Sequence, residues 1–535
     1  MSNEIRERYL YHLMQAAHAR RIDRRRFLQI ASAAGVSLAA ASSLYSKAAK
    51  AAPSRGGHFR IGSDDGNTTD QLDPATTVSA YMIHMNHGIR SYLTEITQDN
   101  VVGPDIAKSW ESTPDASVWT LKLHKGVEFH NGKTFTAVDA RDSLNHHRGE
   151  DSKSAAKALL AGVEDITAED DHTLIVRLKA GSADFPYVLT DYHLVMMPSD
   201  GEGNVDANSG IGTGGYMIDR HEPGVRSSFK RHPNYFKDGR AWFDSVEIIA
   251  IPDANARGTA ITTGELDTII AVDKKTAHLM SRDPNIEVLN IPSGSHFTLP
   301  MFMDVAPFDN NDVRLALKYA FDRQALLDTI LRGYGTIGND TPIGPTLPYW
   351  ADIEQRQYDP DKAKFHLKKS GHDSIKVTLS TSEVPYAGAT DTAILYKEKA
   401  AAVGIDIDVV REPNDGYWSN VWNAKPFCVA SWGARPTPDV MFTLAYAAEA
   451  AWNDTHFQHE RFNKLLLQGR AELDDGKRAE IYREMQVIMR DEGGVIVPIF
   501  QNFVYAHRSN VKHGDKVAGN WALDGHRAME RWWFA

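Results

Sequence analysis

The chain has 535 residues, 42% of them apolar and 24% charged, and a formal net charge of −11. That length requires several domains or subdomains with more than one core, and the acidic balance argues against nucleic acid or anionic lipid held by the net field. A single cysteine, Cys428, excludes an intrachain disulfide, and no run of 18 strongly apolar residues is present to cross a membrane.

The first fifty residues differ in kind from the rest. A basic cluster (Arg20, Arg21, Arg24, Arg25, Arg26) precedes a mild Ala/Ser/Leu run from Ile30 to Tyr45, and a small-residue site, Ala49-Lys50-Ala51, follows. Charged, apolar, then A-x-A is the order of a cleaved export signal. "DRRRFLQ" resembles the twin-arginine motif, with Arg24 and Arg25 as the pair. Residues 1–51 carry nine Lys/Arg against three Asp/Glu, so their removal takes the net charge from −11 to −17. The expectation is export by the twin-arginine machinery, cleavage near Ala51, and a soluble, monomeric periplasmic protein. No cysteine stands at the cleavage site to carry a lipid.

Along the body, "HFRIGS" (58–63) and "VWTLKLHKG" (118–126) alternate as strands do. In "TFTAVDARDSLNHH" Thr136 is placed to cap a helix, and Asp139, three residues on, can reach back to the first unbonded amide. "VEDITAEDDHTLIVRLK" reads as two strands about an acidic turn. "NNDVRLALKYAFDRQALLDTILRGYG" reads as one long amphipathic helix stopped by Gly333. "YDPDKAKFHLKKSGHD" has Asp359 as cap, Pro360 at the first helical position and Gly371 at the end. "IKVTLSTS", a helix about Leu395 to Ala402, and "GIDIDVV" make a strand–helix–strand unit. The strand 426–432 ends at Trp432 and contains Cys428, which reads as a small buried hydrophobe. A helix in "DDGKRAEIYREMQVIMRDEGG" precedes one strand, "VIVPIFQNFVYAH". The fold class is α/β with mixed sheets.

Few motifs carry chemistry. "GIGTGG" (Gly210, Gly212, Gly215) matches G-x-G-x-x-G, but no strand precedes it and no helix opens after it, so phosphate binding is not expected. His84/His87 and His456/His459 have i, i+3 spacing, yet no third ligand is assured for a metal. Ser295 and His296 are adjacent, so on a strand they face opposite ways and do not make a nucleophile–base pair. No cofactor and no catalytic group are expected.

Several ordered blocks nevertheless resemble one family. "LHKGVEFHNGKTFTAVDARDSL" (123–144), "GIGTGGY", "RHPNYF", "IPDANARGTAITTGELD", "NDVRLALKYAFDRQALL" and "YDPDKAKFHL" are similar to the family 5 extracytoplasmic solute-binding proteins, the peptide- and nickel-type receptors of ABC importers. The resemblance implies a two-lobed periplasmic-binding-protein fold with two hinge crossings. Lobe one would hold residues 52–292, with an inserted subdomain about 88–212, and residues 500–535; lobe two would hold 293–499. It also implies capture of a small solute by closure and delivery to a permease, without catalysis.

The resemblance directs attention to the loop "SWGARPTPD" (431–439). Similar loops in peptide-binding relatives carry an aspartate for the peptide amino terminus; here Arg435 stands there. The loop "TSEVPYAG" has Glu383 and Val384 before Pro385-Tyr386 where dipeptide binders carry an arginine. The expected ligand is therefore not a dipeptide held in the usual way but a differently charged peptide, an amino-acid conjugate such as an opine, or another small organic acid. Arg435 would hold its acid group, with Trp432, Tyr417 and Trp418 as apolar walls. The alternative is that Arg435 pairs with Asp439 or Glu383 and braces the loop. Tyr386, His296 and Phe297 are further candidates, the last two equally readable as core. A nickel or metal-chelate receptor and an exported enzyme are the other readings.

Overall fold

The computed structural model describes residues 53–535 apart from positions 78, 151, 155, 414–416, 449 and 451, together with residues 13, 24–33, 36 and 41 of the leading segment. The arginine pair lies in a helix, Arg24–Ala33; Arg20, Arg21 and the expected cleavage site lie outside the described residues. No helix among the described residues is long and apolar enough to cross a membrane.

The first lobe is built on a seven-stranded sheet. Its order is Ile286–Ile291, Phe503–Arg508, Thr268–Ile269, His58–Ser63, Ser245–Ala250, Arg226–Arg231 and Tyr216–Glu222. His58–Ser63 runs parallel to both of its neighbours, and the other pairings are antiparallel, so the sheet is mixed. Alternating residues of these strands supply its core: Phe59, Ile61, Val246, Ile248 and Phe229 are buried with Tyr505 and Trp532. A separate four-stranded antiparallel sheet (Ala107–Ser112, Val118–Leu123, Thr173–Leu178, Val163–Asp170) packs with the helix Ala137–Asn145 around its own core of Trp119, Leu121, Phe135, Leu144 and Val176. Thr136 caps that helix, and the Asp139 carboxylate accepts from the Thr136 amide at 2.9 Å. The Gly-rich segment packs rather than cradles. A Cβ on Gly212 would come within 2.1 Å of the Ile89 carbonyl oxygen, and one on Gly214 within 2.4 Å of that of Gly88.

The second lobe holds a sheet of Gly335–Ile337, Ile499–Gln501, His296–Pro300 and Ala430–Trp432, with Val495–Ile496 also paired to His296–Pro300. Beside it, Ile375–Thr381 and Ile405–Arg411 pair in parallel through the helix Ala389–Ala401. The chain passes from the first sheet to the second between Ile291 and His296 and returns between Gln501 and Phe503.

Three sequence expectations change. The long helix at 310–333 is two helices, Asn311–Tyr319 and Arg323–Thr329, because Asp322 accepts from the Ala325 amide and starts the second. The strand "VIVPIFQNFVYAH" is three, Val495–Ile496, Ile499–Gln501 and Phe503–Arg508; Pro498 falls in the first break, where its missing N–H cannot serve a ladder. The regular strand before the arginine loop is only Ala430–Trp432, preceded by single bridges at Phe427 and Cys428.

Candidate functional site

Between the lobes lies a cavity of about 340 Å³, at the small end of the roughly 300–1,000 Å³ typical of sites that enclose small ligands. The first lobe lines it with the segment from Tyr187 to His193 and with Asn520 and Trp521; the second lines it with Leu347, Arg435, Leu444 and Trp452.

Arg435 is the cation of this cavity. Antiparallel pairing of Trp432 with His296 ends the strand at that position and projects the following turn to the lobe boundary. The Arg435 Nη1 donates to the carbonyls of Gly433 and Ala434 at 3.1 Å each. The guanidinium stands 5.7 Å from the Trp432 ring centre. Among the described residues no carboxylate comes within ion-pair distance of it. Burial pulls its pKa below the ordinary arginine value, opposed by Asp191 and Tyr192 facing it. Both expected brace partners are engaged elsewhere: Asp439 takes Arg470 Nε at 3.1 Å, and Glu383 accepts from the amides of Gly388 and Thr390.

On the opposite wall, Asp191 Oδ1 accepts from the His193 amide at 3.0 Å and meets His193 Nδ1 at 2.6 Å, while His193 Nε2 rests on the Thr77 carbonyl at 2.9 Å. Tyr192 lies tilted against His193 with ring centres 4.1 Å apart and meets Trp521 edge-on at 5.9 Å. Burial pushes the Tyr192 phenol up to about 12, so it stays neutral at physiological pH. Trp452, 46% exposed, packs against Trp432 at 5.9 Å. The site is thus an aromatic-walled slot with the Arg435 guanidinium on the second lobe and the Asp191 carboxylate, paired with the His193 ring, on the first.

Of the nine residues singled out by sequence, Arg435 alone lines the cavity. Trp432, 5% exposed, lies behind Arg435 and donates its indole N–H to Asp454 at 3.3 Å. Tyr417 is buried with its hydroxyl on the Val429 carbonyl at 2.7 Å, and Trp418 is exposed beside it. Phe297 and Tyr386 stack on each other at 3.4 Å in the second-lobe core. His296 is buried against Phe500 with Nδ1 at the Gly294 carbonyl, and burial drops its pKa to about 4. Asp439 opens the helix Pro438–Ala445, and burial lifts its pKa to about 6 against the pull of Arg470. Glu383 tethers the start of the helix Ala389–Ala401, and its contacts with Thr390 and Gly388 hold its pKa low despite burial. Close sequence spacing to Arg435 misled the expectation: a strand's alternate residues and a helix's first turn point into the lobe's own core.

Sequence reasoning missed Asp191, Tyr192, His193, Trp452 and Trp521. Each sits in irregular backbone, and the available signal was a polar–aromatic loop that no helix or strand period explains. Among the described residues no group of three His, Cys, Asp or Glu is placed to hold a metal ion. His84 is buried against His526, His456 meets Asp304, and His459 caps a helix by accepting from the Phe462 amide. Ser295 donates to the Trp432 carbonyl rather than to His296.

Comparison with known proteins is consistent with this architecture. Residues 101–454 match the family described as bacterial extracellular solute-binding proteins, family 5 Middle. The glutathione-binding protein GsiB of Escherichia coli K12 is 24% identical over 469 residues, covering 84% of this chain and 88% of that one. The dipeptide-binding protein of the same strain is 24% identical over 487 residues, covering 84% and 90%. The structure of the binding protein AgaA with agropinic acid, from A. tumefaciens R10, superposes with a TM-score of 0.72 at 22% identity over 90% of this chain and 99% of that one.

Proposed function

The chain belongs to the bacterial extracellular solute-binding proteins of family 5, and from that premise we propose that it is the periplasmic receptor of an ABC importer for a small organic solute with an acidic group. Members of the family bind small solutes and work with ABC permeases. The observation that carries the finer reading is the cavity between lobes, with a half-buried Arg435 guanidinium facing it and no carboxylate of the described protein on that guanidinium. A charge taken out of water without a partner is costly, and an acidic solute meets that need with a forked, charge-assisted contact.

In this reading the two crossings, near 291–296 and 501–503, are the hinge, and the lobes take up roughly residues 52–292 with 500–535, and 293–499. The solute binds the closed arrangement better than the open one, and that difference alone drives closure. No bond of the solute is broken. The leading segment is read by the twin-arginine export machinery and removed near Ala51. The protein then acts as a monomer. The solute is an amino-acid conjugate, a differently charged peptide or a related small acid. A dipeptide held by a second-lobe aspartate does not fit the Arg435 loop.

Native mass spectrometry on gently purified full chain tests this, followed by small-angle scattering with and without the captured compound. One equivalent of a small acidic mass and a contraction on rebinding are expected. Chemical conversion of that compound, or an unchanged radius of gyration at saturation, would overturn the reading.

A further inference from the structure

Resting on the closure reading above, we propose that Asp439 of the second lobe, with Asp184 of the first and the guanidiniums of Arg470 and Arg478, forms a proton-operated latch. Closing the lobes takes up a proton at Asp439, so the closed form is favoured in mildly acidic medium and yields to the open form towards neutral pH.

The latch stands where two successive first-lobe residues each engage an arginine of the second lobe. The Ala183 amide donates to the Arg470 carbonyl at 2.8 Å, and Asp184 Oδ1 accepts from Arg478 Nη2 at 2.6 Å. Asp439, in the first turn of the helix Pro438–Ala445, belongs to the same patch: its two oxygens accept from Arg470 Nε at 3.1 and 3.2 Å. Arg470 gives its Nη2 to the Thr443 hydroxyl at 2.6 Å instead of completing a fork on the carboxylate. Two carboxylates thus share two guanidiniums, and Asp439 holds its own through a single nitrogen. Both carboxylates are buried, Asp439 at 7% exposure and Asp184 at 0%. Among the described residues Asp184 Oδ2 has no hydrogen-bond partner. A buried, incompletely paired charge is costly, and a carboxylate escapes that cost by taking a proton.

The neighbours decide which group titrates. Facing Asp439 are Arg470 of the helix Glu460–Ala471, Arg478 and Tyr482 of the helix Asp475–Glu492, and Asp184 from the other lobe. Burial lifts the Asp439 pKa from 3.8 to about 6; Arg470 and Arg478 oppose the rise, and the Asp184 charge adds to it. Facing Asp184 are Arg478, Tyr187, Tyr349 and Tyr482, with Asp475 accepting from the Tyr349 hydroxyl at 2.7 Å. Burial raises all three phenols, so none ionises near neutral pH. In the closure reading, parting the lobes takes Asp184 away and admits water, and the Asp439 pKa falls back towards 3.8. A carboxyl whose pKa is higher in the closed form favours that form in full below about pH 4. The advantage is lost as the pH rises to about 6 and stays lost above. That span sets a ceiling of roughly 100-fold on the change in the open-to-closed ratio.

Small-angle scattering of the ligand-free full chain between about pH 4.5 and 7.5, at fixed ionic strength, tests the latch. Asp439→Asn serves as the permanently uncharged form. The parent's radius of gyration should grow across that range, its open-to-closed ratio rising about tenfold or more. Asp439→Asn should keep the parent's low-pH value throughout, changing less than about twofold. Asp454 also titrates in this range, but it is buried beside Trp422 and Trp432 within the second lobe. Asp454→Asn should therefore respond as the parent does, and thermal melts check that each variant is folded at each pH. The inference is overturned if the parent's curve is flat, if Asp439→Asn follows the parent, or if Asp454→Asn abolishes the response. Contraction of the parent on rebinding the copurified compound, alongside any of those outcomes, leaves the receptor reading standing while ending this one. A radius of gyration indifferent to both pH and that compound ends both.

Discussion

Asp184 of the first lobe and Arg478 of the second meet across the lobe boundary at 2.6 Å, with side chains only 1% and 5% exposed. Asp184 starts the short helix Phe185–Val188, whose Tyr187 and Val188 line the cavity. Arg478 lies on the helix Asp475–Glu492, is steadied by the Gly469 carbonyl and the Tyr349 hydroxyl, and stands 4.8 Å from the Tyr349 ring centre. Beside them the Ala183 amide donates to the Arg470 carbonyl at 2.8 Å. Burial works against the Arg478 charge, but Asp184, with Tyr482 and Tyr349, outweighs it and leaves the guanidinium's pKa raised. In the closure reading proposed above, parting the lobes breaks this pair, so it would act on that equilibrium without touching the solute.

Removing one partner of a buried pair costs about 3–5 kcal/mol in a rigid setting. Here the orphaned Arg478 escapes that cost by opening the lobes to water. Asp184→Ala is therefore expected to enlarge the radius of gyration of the ligand-free protein and to weaken solute binding tenfold or more, with the melting temperature little changed. The double variant Asp184→Ala/Arg478→Met should recover part of the affinity, because no charge is left stranded. Equal scattering curves for Asp184→Ala and the parent would show that the pair does not govern closure.

Arg435→Ala removes the cavity's cation. A hydrogen bond to a charged group contributes about 1.5–3 kcal/mol, so calorimetry should show at least tenfold weaker binding of the captured solute. Arg435→Lys keeps the charge but loses the planar fork, and should restore only part of the affinity. Unaltered binding by Arg435→Ala would place the guanidinium outside the contact.

Much of the fold was legible because its signals are local. The alternation in His58–Ser63, the Thr136–Asp139 cap, and the Asp359, Pro360 and Gly371 punctuation of the helix Pro360–Lys369 all act within a few residues. Asp322 shows where local reading slipped: an apolar stripe runs through it, yet its side chain closes a cap and splits the helix. Of the residues singled out by sequence, one lines the candidate cavity. Arg435 stood out as a cation after a strand, but its facing partners come from loops some 240 positions earlier in the chain and nearly 90 later. Trp432 and Tyr417 looked like walls because aromatic residues near a strand end serve core and cavity equally; only the register with His296 and the hydroxyl bond to Val429 decide it.

Lys318 offers a test of the second lobe's frame. Its ammonium is fully buried and donates to the carbonyls of Met489, Arg490 and Gly493, satisfying the end of the helix Asp475–Glu492. Lys318→Met leaves the Gly493 carbonyl without its donor, while Met489 keeps the Gly493 amide and Arg490 keeps Arg356, at a cost of about 1–3 kcal/mol for the buried group. The expected result is a lower melting temperature, with little change in solute affinity at a temperature where the variant stays folded. A melting temperature equal to the parent's would mean water takes over the Gly493 carbonyl.

Asp454 gives the second lobe a pH dependence. Its Oδ2 accepts the indole N–H groups of Trp422 at 2.9 Å and Trp432 at 3.3 Å. Burial lifts its pKa from an ordinary 3.8 to about 6, although both indoles pull it down. A carboxyl whose folded pKa lies above its unfolded one contributes its stability in full below pH 4. That contribution is lost as the pH rises from about 4 to 6 and stays lost above. A shift of two units corresponds to about 3 kcal/mol. Asp454→Asn keeps an acceptor oxygen for the two indoles and removes the ionisation. The variant should therefore melt several degrees above the parent at pH 8, and the gap should shrink steadily to pH 4, followed by tryptophan fluorescence. A gap independent of pH would mean Asp454 is not the group that titrates, because the amide changes no other charge behind the Trp432 that backs Arg435.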